Sequence, residues 1–455
     1  MRRLSIFTLF FLSFSMLYGQ ADDSLMIRKI ADEVLVNGRA YDNLHQLTKQ
    51  IGQRLSGSQG MVKAEKWGIE KMKEAGADKS WMQQCMVPHW VRGAAEELRI
   101  ATGVNKNRKL AVAALGNSTG TGPKGVLAPV IEVKSFEDLE AKKNEVKGKI
   151  VFFNYKFNPK LIRTFESYGD AGKYRFVGPP AAAKYGAVAV LVRSMSHSTD
   201  NYPHTGATAS GDTIPKIPSM ALGLKDADWL DQQIQSAGLS AFFKSNAHFL
   251  PDTIGHSIIG ELTGSESPDQ IITIGGHLDS WDLAEGAHDD GAGMVQTIEI
   301  LRALKAIGYK PKHTIRFVLF ANEENGLRGG TKYAEEAKAK NEKHVFALES
   351  DAGGFTPRGI SFGGSDEQLK KVQAWIPLLQ PYGVYEIEKG GGGADVGPVA
   401  EAMGIPAAEL IPDSQRYFDY HHAKSDVFEN VNKRELELGA LNMAAFIYLV
   451  DKYGL

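Results

Sequence analysis

The stretch from Gly275 to Leu304 leaves the chain little freedom. It is entered through Gln270-Ile-Ile-Thr-Ile-Gly-Gly, a β-branched run ending in glycines, which reads as a buried strand reaching its carboxyl end. From Ala292 onward Met294, Val295, Ile298, Leu301 and Leu304 recur at helical spacing. The loop between them therefore turns from strand to helix while holding His277, Asp279, Asp289 and Asp290. In open α/β sheets the crevice beyond the strand ends is where active sites lie. The rest of the chain can be read by asking what completes this loop.

Two later strands also run into acidic residues. Ile315 to Asn322 leads into Glu323-Glu324-Asn325-Gly326, and Val345 to Leu348 leads into Glu349-Ser350-Asp351. Parallel and adjacent strands would gather Glu323, Glu324 and Asp351 beside His277 and Asp289. A second imidazole source is Tyr420-His421-His422-Ala423-Lys424-Ser425-Asp426, a polar loop before the last helix. Imidazole nitrogen and carboxylate oxygen are the ligands zinc takes, and one carboxylate can bridge two ions through its two oxygens. Two histidines, two aspartates and one glutamate would make two sites of three ligands with one shared. The Glu323-Glu324 pair then divides, one member coordinating and the other free to move a proton.

His277-Leu278-Asp279, Gly286 to Gly293, Asn322 to Gly329, Glu349-Ser350-Asp351 and His421-His422 together resemble, in order, the motifs of the co-catalytic di-zinc aminopeptidases. The resemblance covers nearly the whole chain after its first residues. It implies Asp289 as the bridging ligand, His277 and Asp351 on one zinc, Glu324 and His422 on the other, and Glu323 as general base acting with a metal-bridging hydroxide. It further implies a cis peptide between Asp289 and Asp290, and a homodimer. Asp279 is expected to accept the free N–H of the His277 imidazole, and Asp426 that of His422. Many members of the family carry tyrosine directly before the last histidine ligand, where it steadies the oxyanion. Here that position is His421, with Tyr420 one earlier, so either residue is a candidate for the role.

The expected architecture is α/β: a mixed, mostly parallel sheet sandwiched by helices, because strands and helices alternate from Met294 to Glu349. Between Lys106 and Leu250 the texture changes to short strand-like runs with glycine-rich turns, and no ligand-rich loop falls there. That block reads as a domain inserted through two crossings. The resemblance implies that it is a β-rich protease-associated domain, 106–250, set within a peptidase domain of 21–105 and 251–455.

Met1-Arg2-Arg3 followed by the apolar run Leu4 to Leu17 has the form of a secretory signal peptide, 1–20, cleaved near Gly19 or Gln20. The run is shorter than a membrane span needs, so the expectation is an exported protein, periplasmic or secreted, with no anchor after processing. Cys85 is the only cysteine, which leaves no intrachain disulfide. A net charge of −2 with no basic cluster argues against a nucleic-acid partner.

The reading for function is an exopeptidase acting on dipeptides or short peptides with a free amino terminus, with two zinc ions per chain. Two other readings share the fold: a single-zinc acyltransferase resembling glutaminyl cyclases, and a binding ectodomain resembling transferrin receptors, which lacks an intact metal site. A serine hydrolase is disfavoured because no Gly-x-Ser-x-Gly stands between a strand and a helix. His288 reads as a non-ligand, and His256 and His313 as ordinary flanking residues. Gly390 to Gly393 lacks the lysine of a phosphate loop and reads as a wall of the cleft. Trp281 and Phe418 read equally as pocket or as packing.

Overall fold

A computed structural model describes residues 4–455 apart from 210 and 212, without the side chains of 4–20 and 237. The signal-peptide reading of residues 1–20 rests on those side chains and lies outside the described residues. Among the described residues no helix is long and apolar enough to cross a membrane.

An eight-stranded sheet forms the larger half. Its strands follow the order Lys79–Val91, His248–Leu262, His313–Phe320, Ser267–His277, Lys343–Glu349, Ala407–Pro412, Pro357–Gly363 and Glu386–Lys389. The three strands that end in candidate ligands, Ser267–His277, His313–Phe320 and Lys343–Glu349, are parallel neighbours, so their carboxyl ends meet on one edge. Four of the seven adjacent pairs are parallel and three antiparallel. The sheet is thus more mixed than alternation alone suggests, because strands that close βαβ units occupy only its middle.

The helices Gly293–Ala306 and Lys433–Tyr453 cover one face and Arg328–Ala339 and Gly397–Met403 the other. Alternation along the central strand sends Ile315, Phe317 and Leu319 to the first layer and Val318 and Phe320 to the second. Before the first strand, Ala40–Gln46 is α-helical, Leu47–Ile51 is a π turn, and Gly52 follows at φ 81°.

A second eight-stranded sheet is built from strands between Glu97 and Lys244. The chain leaves the first sheet along Lys79–Val91 and returns along His248–Leu262. These two strands pair antiparallel from Lys79 opposite Glu261 to Val91 opposite His248. The register shifts between Val87 and His89, at Pro88, which has no N–H to give the ladder. Both crossings are therefore one paired ribbon that joins the two sheets.

The helix Thr164–Phe176 of this second unit escapes the sequence pattern, since Gly169 and Gly172 interrupt its period. It matters most for function, because it faces the ligand-bearing edge of the first sheet.

Candidate active site

Each strand end turns sharply. His277 closes its strand opposite Phe320. Gly276 precedes it because a Cβ there would stand 2.5 Å from Asp290 Oδ2, and Gly293 follows because a Cβ would stand 1.8 Å from Ser350 O. Between them the Asp289–Asp290 peptide bond is cis. The Asp290 carboxylate accepts N–H bonds from His277 (3.0 Å) and Gly293 (2.9 Å), tying the strand end to the first turn of the next helix. Asp290 is therefore occupied by backbone donors.

His277 Nε2 lies 3.3 Å from Asp289 Oδ1 and 3.4 Å from Asp351 Oδ1. His422 Nε2 lies 3.1 Å from Asp289 Oδ2 and 3.1 Å from Glu324 Oε2. Asp289 thus turns one oxygen to each imidazole. His277 Nε2, Asp289 Oδ2 and Asp351 Oδ1 are buried and make no hydrogen bond among the described residues. Orphaned polar atoms in a dry interior are costly, so this set calls for a cation. Nitrogen and oxygen donors converge here in three overlapping groups, Asp289–His421–His422, His277–Asp290–Asp351 and His277–Asp289–Glu324, and such donors are what zinc accepts.

The ring nitrogens facing away fix the tautomers. His277 Nδ1 is 3.0 Å from the backbone carbonyl of Asp279, whereas the Asp279 carboxylate is 3.8 Å away. The expectation that the Asp279 carboxylate accepts this N–H is therefore corrected. It accepts the backbone N–H of Glu323 at 3.0 Å and the Ser56 hydroxyl at 3.4 Å instead. Asp426 is likewise not the partner of His422. Its oxygens accept the N–H groups of His288 (2.7 Å) and Asp289 (3.1 Å). His422 Nδ1 faces the carbonyl of Thr205 at 3.2 Å, and the Thr205 N–H donates back to the His422 carbonyl at 2.9 Å. In both corrections a backbone group takes the place assigned to a side chain.

Glu323 is half-buried at the edge of the cleft. Burial, followed by the Asp351, Asp289 and Asp279 carboxylates and opposed by His277, pushes its carboxyl up to about 8. Glu324, beside it, is buried and also accepts the backbone N–H of Trp281 at 3.1 Å.

His421 stacks on His422 with ring centroids 3.5 Å apart and puts Nε2 3.7 Å from Asp289 Oδ2. Tyr420 points elsewhere: its ring stacks on His288 and its hydroxyl takes a hydrogen bond from Arg416. His288 is held between Phe355 and Tyr420 and bonds the backbone at Gly354 and Asn430. His256 meets Glu65 and His313 meets Asp451, both away from the cluster. Trp281 backs His422 at 5.8 Å, and Phe418 is buried beneath His421.

Other members of the site carry no motif. Arg54 is fully buried and donates to the carbonyls of Leu278, Glu285 and Gly286, stapling the two arms of the central loop. The sequence marks it only as a charged residue shortly before Ser56-Gly57-Ser58. From the second unit, Tyr168 and Arg175 line the cleft, with the guanidinium donating to the Tyr168 hydroxyl at 2.6 Å. Gly206 makes room, since a Cβ there would stand 2.4 Å from the Arg175 guanidinium carbon. The cleft over Asp289, Glu323 and His421 holds about 580 Å³, the size of a small-molecule site.

Residues 257–447 match the family described as Peptidase family M28. The chain is 34% identical over 414 residues to carboxypeptidase Q of Homo sapiens, covering 90% of this chain and 85% of that protein. A solved structure described as a peptidase M28 precursor from Shewanella amazonensis superposes with a TM-score of 0.89 at 31% identity, covering 95% of this chain and 97% of that one. A zinc aminopeptidase from Bacillus subtilis shares the fold at TM-score 0.64 and 23% identity, over 90% and 93% of the two chains. Fold and site together define a peptidase of mixed α/β architecture. The chain belongs to peptidase family M28.

Proposed function

We propose that the protein is an exported zinc-dependent exopeptidase that binds two zinc ions per chain and cleaves dipeptides or short peptides with a free amino terminus. The observation that carries this reading is the orphaned trio of His277 Nε2, Asp289 Oδ2 and Asp351 Oδ1, with Asp289 facing both imidazoles. His277, Asp289 and Asp351 would hold one ion, and Asp289, Glu324 and His422 the other. When bound, the ions supply the positive charge that polarises the scissile carbonyl and makes water acidic.

The chain's own groups do the rest. Glu323 takes the proton of the attacking water on its carboxylate and returns it to the leaving amine. Its backbone N–H on Asp279 Oδ1 sets where that carboxylate stands. His421 faces the cleft and steadies the oxyanion, a role that Tyr420's remote hydroxyl does not reach. The small cleft volume supports short substrates, and the name of the human relative supports exopeptidase action. Residues 106–250 act as a protease-associated domain, joined in its sheet by Glu97–Ile100, and supply Tyr168 and Arg175 to the cleft wall. The homodimer implied by the resemblance belongs to the same proposal.

The test is hydrolysis of dipeptides, each offered free and N-acetylated, by wild type and Glu323→Gln. The expected result is cleavage of free dipeptides alone, with a loss of about a hundredfold or more in the variant at unchanged metal content. Cleavage of acetylated peptides, or full activity in Glu323→Gln, contradicts the reading.

A further inference from the structure

We infer that a second cavity, beside Asp351 and distinct from the cleft over Glu323, is a subsite for a substrate side chain that ends in a cation, lysine or arginine, with Glu409 as its counter-charge. The inference rests on the peptidase reading and names the substrate class of that site.

The cavity holds about 490 Å³ and lies between the strands Pro357–Gly363 and Ala407–Pro412 and the segment that enters the helix Thr164–Phe176. Ala352, the residue after Asp351, lines it, so its wall adjoins the cluster. Phe165 lines both this cavity and the catalytic cleft. A peptide lying across the cluster can therefore turn one side chain into it.

Its walls suit an aliphatic stem. Ile162 and Phe165 stand at the rim, 79% and 37% exposed, and Leu410, Ile411 and Pro412 lie opposite. Such a wall takes the methylenes of a long side chain and leaves its charged end to be met deeper in.

Two guanidinium groups and four carboxylates line the cavity. Arg163 is taken by Glu386 and Glu388, and Arg358 by Asp413 at 2.8 Å. Glu166 is exposed and solvated. That leaves Glu409, a partly buried carboxylate in the middle of the sheet, with no hydrogen bond or ion pair among the described residues.

Strand register explains its place. Glu409 stands opposite Glu349 on one side and Ser361 on the other, so all three point to the same face. Glu349 is satisfied by the N–H groups of Asp395 and Val396, and Ser361 by the N–H of Gly391. The backbone of the Gly390–Gly393 segment lies so close that a Cβ on Gly393 would meet Glu349 at 2.2 Å and one on Gly390 would meet Ser361 at 2.0 Å. The glycine-rich segment serves the two neighbours and leaves Glu409 facing the cavity. Burial, and behind it the carboxylates of Glu349 and Asp351, raises the Glu409 carboxyl well above the ordinary range, as expected of an acid with no cation beside it. An ammonium or guanidinium group arriving from the cavity supplies the missing partner.

The test compares wild type with Glu409→Gln, which keeps the shape and removes the charge. Dipeptides carrying lysine at the first or the second position are compared with those carrying norleucine at the same position. The expected result is a kcat/KM ratio of lysine to norleucine that favours lysine at one position and falls about tenfold to a hundredfold in the variant. Calorimetry with free lysine and free norleucine gives a readout independent of turnover: lysine binds the wild type more tightly, and the variant loses the difference. Ratios unchanged at both positions, or equal affinity for the two amino acids in wild type, overturn the inference. Wild type that cleaves none of the peptides sinks the peptidase reading, and the binding comparison then decides this one.

Discussion

The two ends of the cluster are built differently. At the His277 end every group comes from the first sheet, and the imidazole is oriented by Asp279, two residues away on the same loop. At the His422 end the imidazole is clasped by Thr205 of the second unit, in both directions, and Arg175 reaches to within 3.4 Å of its Nδ1. With Nε2 turned to the cluster, Nδ1 carries the proton and donates a hydrogen bond to the Thr205 carbonyl, which Arg175 also meets at 3.4 Å while its other amino group holds Tyr168. One half of the site is thus finished locally and the other only when the two units meet. The second unit completes the surroundings of His422 as the first completes those of His277.

The largest effect that probes this difference comes from Asp279→Asn. Its carboxylate holds the Glu323 N–H and the Ser56 hydroxyl, while its carbonyl, untouched by the change, orients His277. The variant is expected to keep its metal and lose about tenfold to a hundredfold in kcat. Loss of metal at the His277 end instead would show that the carboxylate orients the imidazole after all.

Much of the cluster is legible in the sequence. His277, Glu324 and Asp351 sit at strand ends, Asp289 at the entry to the next helix and His422 in the last polar loop, where a short motif carries both the element and the residue, and the five side chains converge. The partners of the imidazoles were not legible, because Asp279 and Thr205 act through backbone carbonyls that any residue offers. Tyr168 and Arg175 were missed for another reason. Their helix carries two glycines that blur its period, and it meets the cleft only through the packing of one sheet on the other. In the same way, the Glu409 cavity depends on strand register across Lys343–Glu349, Ala407–Pro412 and Pro357–Gly363, which no local pattern specifies.

A smaller effect sharpens the comparison further. Under a chelator the ion at the Glu324–His422 end should leave about tenfold faster than the one at the His277–Asp351 end, because its imidazole is oriented across two units. Metal release followed in time should show two phases, with the fast one missing in Glu324→Ala and the slow one missing in Asp351→Ala. A single phase in wild type would mean that the two ends are equivalent.

The most direct test of the central claim is the metal content of the purified protein beside those same two variants. The account predicts about two ions per chain in wild type and about one in each variant, since Asp289 serves both ends. About one ion per chain in wild type, or none, would contradict it.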